Sequence, residues 1–129
     1  MSNGTLNTIL YVEDDQDIQT VARLALEAVG GFSVTICSSG REALAAVNAG
    51  FTPDLILLDV MMPGMDGPTT LVALRRLAQT AGTPAVFMTA KVQGRETAHY
   101  KSLGAVGVIA KPFDPMQLAE QVRALWAAR

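Results

Sequence analysis

The residues able to do chemistry in this sequence are carboxylates, one hydroxyl and one ammonium, each at the end of a short apolar run. Glu13-Asp14-Asp15 follow Thr8 to Val12, Asp59 follows Leu55 to Leu58, Thr89 closes Ala85 to Thr89, and Lys111 follows Val106 to Ala110. Two like unit charges 4 Å apart repel by about 4 kcal/mol at an effective dielectric of 20. A cluster of three carboxylates is therefore not retained for stability. A divalent cation relieves it, and an oxygen-only donor set selects a hard ion such as Mg²⁺. Lys111 would relieve it further. Such a group of side chains suits phosphoryl transfer: a carboxylate attacks, and the cation, ammonium and hydroxyl take the charge on the phosphoryl oxygens. Taken alone, Glu13-Asp14-Asp15 reads equally well as an acidic helix start favoured by the helix dipole. Asp59 does not, because it lies between four apolar residues and Val60-Met61-Met62. Acids in such surroundings are seldom without a partner or a task.

These residues are far apart in the chain, so a fold must bring them together. The apolar pattern predicts five alternations of strand and helix. Thr8 to Val12 reads as a strand, and Ile18, Val21, Ala22, Ala25 and Val29 as the apolar stripe of a helix stopped by Gly30-Gly31. Phe32 to Cys37 reads as a second strand. Ser38 or Ser39 caps a helix through Ala43, Leu44 and Val47, with Gly50 past its end. Leu55 to Leu58 is apolar on both faces, as a central parallel strand should be. Asp66 caps a third helix with Pro68 in its first turn and Leu71, Val72, Leu74 and Leu77 as its apolar content. Ala85 to Thr89 is a fourth strand, Gln93 to Leu103 a weak polar helix, and Val106 to Ala110 a fifth strand. Asp114-Pro115 opens a last helix with the inner stripe Leu118, Val122 and Leu125. This alternation predicts an α/β fold, a parallel sheet with helices on both faces. Ligands in such folds bind beyond the C-terminal ends of the strands, where every residue named above falls.

Composition narrows the classes. The chain has 129 residues, half of them hydrophobic and 17% charged, which suits one folded domain and excludes a disordered chain. A net charge of −2 gives no basic footprint for nucleic acid. The single cysteine, Cys37, excludes an internal disulfide framework and a cysteine-based zinc site. No apolar run approaches the ~20 residues of a membrane span, and Met1 to Thr5 carries no secretion signal. The expected location is the cytoplasm.

With Tyr11-Val12-Glu13-Asp14-Asp15, the run from Leu55 to Gly67, Met88-Thr89-Ala90 and Lys111-Pro112-Phe113 in this order, the sequence resembles the receiver domain of bacterial two-component response regulators, the CheY-like domain. The resemblance spans roughly residues 6 to 127. It implies a three-layer, doubly wound five-stranded parallel sheet of order 2-1-3-4-5. Asp59 resembles the phosphoacceptor, and Glu13 and Asp14 the acidic pair that holds Mg²⁺ (Mn²⁺ able to substitute), with Asp14 ahead as a direct ligand. Asp59 itself and the backbone carbonyl of Met61 would complete the metal site. Thr89 resembles the switch hydroxyl, Lys111 the lysine that pairs with phosphoryl oxygens, and Gly67 the glycine that starts the third helix. Lys111-Pro112 resembles the family's cis peptide. Asp15 receives no catalytic role. The implied partners are a sensor histidine kinase or a histidine phosphotransfer protein as donor and a downstream protein target, with neither nucleic acid nor membrane bound. The implied state is a monomer, or a phosphorylation-dependent dimer through helix 4, strand 5 and helix 5. Such a domain is a signalling switch and not an enzyme acting on other substrates.

Two departures stand out. The position three before the lysine, aromatic in many members, is Val108, so signal cannot pass through a ring there. Met61 and Lys91 lie two residues beyond Asp59 and Thr89, where a bulky apolar group and a long cation would shield a phosphoryl group from water. Output is expected through helix 4, with Arg95, Glu96 and His99 on its exposed side, Thr89 carrying the coupling and Tyr100 nearby. The chain ends without an output module, which predicts a free-standing receiver. The alternatives are a fragment of a hybrid kinase or a degenerate receiver used as a scaffold. A haloacid-dehalogenase-like phosphatase would need a second acid where Met61 stands. A nucleotide or flavin binder would need a phosphate-cradling glycine loop, and the chain has neither common form.

Overall fold

The computed structural model describes residues 5–90 and 94–129. Five strands, β1 (Thr8–Val12), β2 (Ser33–Cys37), β3 (Leu55–Asp59), β4 (Ala85–Thr89) and β5 (Ala105–Ala110), form one parallel sheet in the order β2-β1-β3-β4-β5. The helices are α1 (Gln16–Arg23, continuing as a π-helical stretch Leu24–Val29), α2 (Gly40–Asn48), α3 (Gly67–Arg75), α4 (Gly94–Ser102) and α5 (Leu118–Ala128). The predicted sheet order and layering are those observed.

β3 and β4 are buried along their whole length, which explains why their sequences show no polar alternation. Alternate residues of the strands feed two cores. Ile9, Tyr11, Leu57 and Met88 pack with Leu26, Leu118 and Val122 on the α1 and α5 side. Leu10, Val12, Leu58 and Phe87 pack with Val47, Leu71, Leu74 and Tyr100 on the side of α2, α3 and α4. The caps follow the sequence. Ser39 accepts from Glu42 N, and Asp66 accepts from Thr69 N with a proline in the first turn.

The structure corrects four expectations. In α1, Val21 and Val29 are exposed, and Leu26 is buried with Ala22 and Ala25. For Leu26 and Val29 the cause is the π-helical turn, in which Gly30 N donates to Ala25 O and the apolar face shifts by a residue, whereas Val21 precedes that turn and lies off the buried side of α1. Val72 faces solvent, leaving Leu71 and Leu74 to anchor α3. α5 begins at Leu118, because Asp114 Oδ1 accepts from Met116 N and turns the chain before the helix. Glu96 is not on the exposed side of α4: it is half-buried, and its Oε1 is enclosed. Arg95 and His99 are exposed as expected, whereas Gln93 and Lys91 lie outside the described residues. Among the described residues no helix is long and apolar enough to cross a membrane.

Candidate functional site

The sheet order brings the ends of β1 and β3 side by side, with β4 and β5 next to them. Register makes this specific: Val12 pairs with Leu58, Asp59 with Met88, and Thr89 with Ala110. The residue after β1, the last of β3, the last of β4 and the residue after β5 thus meet at one edge. Glu13, Asp14 and Asp59 each present a carboxylate oxygen within 4.8 Å of the others. Lys111 Nζ lies 3.0 Å from Glu13 Oε1 and 3.1 Å from Asp59 Oδ1, bridging two of the three acids. Thr89 is buried beside them, and its carbonyl accepts from Lys111 N, which fixes the start of the lysine.

Burial divides the labour. Glu13 and Asp59 are 1% and 4% exposed, whereas Asp14 opens to solvent. Both oxygens of Glu13 are occupied: Oε1 accepts from Lys111 and from the Tyr11 hydroxyl at 3.2 Å, and Oε2 from Asp15 N at 3.1 Å. Asp14 is thus the more open of the pair. Asp15 caps α1 through Asp17 N and Ile18 N, the structural role left to it.

The electrostatics follow from this crowding. Burial, and then the neighbouring Glu13 charge, push the Asp59 carboxyl up to about 6, against the opposing pull of Lys111. Burial alone would push the Lys111 ammonium down, but its bond to Glu13 and the charge of Asp59 more than reverse this. The Tyr11 phenol is held well above the usual range by burial and by Glu13, so it stays a donor. Three acids against one lysine leave an excess of negative charge, and every donor is a hard oxygen. That set fits a small divalent cation.

The loop after β3 is shaped by Gly67. A Cβ there would collide with the Asp59 carbonyl and press on Val60 Cα, so only glycine allows this approach. Gly67 N donates to Val60 O at 2.9 Å, closing the loop. The Lys111–Pro112 peptide is cis, as expected. Met61 is 73% exposed, so its side chain does not pack over Asp59 in this structure. Tyr11 is the site residue that sequence reasoning passed over. The signal was its spacing, since residues two apart on a strand share a face.

The model of the response regulator receiver domain matches residues 9–123. The transcriptional regulatory protein CpxR of Escherichia coli is 37% identical over 120 residues, which is 93% of this chain and 49% of CpxR. The uncharacterized transcriptional regulatory protein YkoG of Bacillus subtilis is 41% identical over 118 residues, again about half of its length. The chemotaxis response regulator CheY4 of Vibrio cholerae superposes with a TM-score of 0.85 at 30% identity, covering 94% of this chain and 99% of CheY4. The chain thus spans about half the length of these curated relatives and nearly all of the solved one. With its acidic edge at the strand ends and the receiver model covering residues 9–123, the chain belongs to the receiver domain family of two-component response regulators.

Proposed function

We propose that Asp59 is the phosphoacceptor of a phosphorelay. The observation that supports this most is the Lys111 ammonium shared between Asp59 Oδ1 and Glu13 Oε1, a cation already placed at the acceptor. The Asp59 carboxylate oxygen attacks the phosphorus of a phosphohistidine, the P–N bond breaks, and the imidazole leaves with its electron pair. Lys111 can turn from Glu13 toward the incoming phosphoryl oxygens, and the buried Thr89 hydroxyl lies at the adjacent strand end to receive another. Mg²⁺ held by Asp14, Asp59, Glu13 and the Met61 carbonyl would neutralise charge on the phosphoryl oxygens. The domain acts on itself alone and is not an enzyme with an outside substrate. Its donor is a histidine kinase or a histidine phosphotransfer protein, and its output passes to a protein target through α4, β5 and α5.

The test is acetyl phosphate with Mg²⁺, followed by intact-mass spectrometry. The wild-type chain gains one phosphoryl group and Asp59→Asn gains none, because the amide is not a nucleophile here. Equal labelling of the asparagine variant would remove Asp59 from this role.

A further inference from the structure

Glu13 is an unusual acid in this site. It is longer than Asp14 by one methylene, so it has more rotamers to lose, yet it is the more deeply buried of the two. Three donors hold it. Lys111 and Asp15 N account for one oxygen each, and the Tyr11 hydroxyl supplies the third bond, to the oxygen that Lys111 also uses. Tyr11 is fully buried on β1, in the core shared with α1 and α5. Its phenol oxygen is therefore fixed by a packed ring, whereas Lys111 is partly exposed at the end of a flexible chain. A buried tyrosine hydroxyl always seeks an acceptor. Here the acceptor is a carboxylate of the cation site, and not one of the backbone carbonyls of the sheet.

We propose that Tyr11 is a positioning residue for the cation site, locking the Glu13 carboxylate in place so that it faces Asp14 and Asp59 when Lys111 turns away. The inference rests on the reading of Glu13, Asp14 and Asp59 as an Mg²⁺ site. Lys111 is needed elsewhere once a phosphoryl group arrives, and its bond to Glu13 is then lost. The phenol bond is independent of that exchange and keeps the acid in register. Hydrogen-bond partners of metal ligands set affinity in this way, and their loss typically weakens binding by about 10- to 100-fold.

Tyr11→Phe removes the hydroxyl and keeps the ring. Two quantities are read against Mg²⁺ concentration: the shift in melting temperature without any phosphodonor, and the initial rate of labelling by acetyl phosphate. In the variant, the Mg²⁺ concentration giving half of the full melting shift rises by about tenfold or more. The half-point for labelling rises by the same factor, and the saturated rate falls by less than that factor. In a Glu13→Gln background the second substitution, Tyr11→Phe, moves the half-point no further. A lower melting temperature with an unchanged Mg²⁺ half-point overturns the proposal and leaves Tyr11 as core filling. Tyr11→Leu, which also lacks the hydroxyl, gives the same reading if the phenylalanine variant does not fold. A wild-type chain with no Mg²⁺-dependent shift overturns the metal reading itself, and this inference with it.

Discussion

β3 is flanked by two aspartates with opposite fates. Asp54 precedes the strand, and its Oδ2 accepts from Asn7 N and Thr8 N, both at 2.9 Å. Its own N–H returns bonds to Thr8 O and Oγ1, so β1 and β3 are clamped at their N-terminal ends. Burial would raise this carboxyl, but the backbone donors outweigh it and hold Asp54 below the usual range. Asp59 ends the same strand five residues later. It meets carboxylates and a lysine that it shares with Glu13, and it is pushed up to about 6. One end of the strand is at electrostatic rest and the other is under load. The charge that folding tolerates at Asp59 is what a bound cation would relieve.

Paired variants break this comparison with the largest effect. In Mg²⁺-free buffer at neutral pH, Asp59→Asn should gain stability, by up to about 3 kcal/mol for a carboxyl displaced this far. Asp54→Ala should lose about 1–3 kcal/mol with its charge-assisted bonds. Urea unfolding reads both, and a destabilised Asp59→Asn would show that the acidic edge carries no strain. Next comes the cation. At ten times its dissociation constant, Mg²⁺ should add about 1.4 kcal/mol to the wild-type fold. Asp14→Ala should abolish most of that gain in a thermal melt, and Asp54→Ala should keep it.

The effect of pH, at most about 1.4 kcal/mol per pH unit for one proton, sharpens the contrast through its sign. Asp59 is raised, so its stabilising contribution is complete below its unfolded value near 4 and is lost as pH climbs toward about 6. Asp54 is lowered, so its contribution is present above the ordinary carboxylate range and is lost as pH falls below it. Metal-free stability should therefore decline between about pH 4 and 6 in the wild type, and this slope should flatten in Asp59→Asn. A slope unchanged by that substitution would assign it to other groups.

Much of this arrangement is legible in the sequence. Thr8 to Val12, Leu55 to Asp59 and Ala85 to Thr89 are strands at the expected bounds, because apolar runs of that length have few other uses in an alternating chain. Their ends announce the site, since the fold places ligand groups there. The face of α1 was not legible. A single π turn turns Leu26 inward and Val29 outward, and a 3.6-residue period carries no mark of it. Tyr11 was missed for a different reason. An aromatic residue in an apolar strand looks like core, and it is core; only its hydroxyl, reaching two residues along the strand, belongs to the site. α4 is intermediate. Its polar sequence announces weak anchoring, but not that Tyr100 would dock on the Phe87 ring at 5.0 Å, tying the helix to β4 two residues before Thr89.

The close approach of Gly67 to the Asp59 carbonyl bears on how such a domain can be diversified. The first residue of α3 rests on the main chain of the proposed acceptor with no side chain between them, so the two behave as one mechanical joint. Met61, exposed beside that joint, is free to vary in size and polarity, whereas Met62 is buried in the core and Gly64 holds a positive φ. Position 67 has no such freedom. Anyone recombining loops between receivers inherits the joint as a fixed boundary, and a seam cut through it would shift the acceptor before changing anything else.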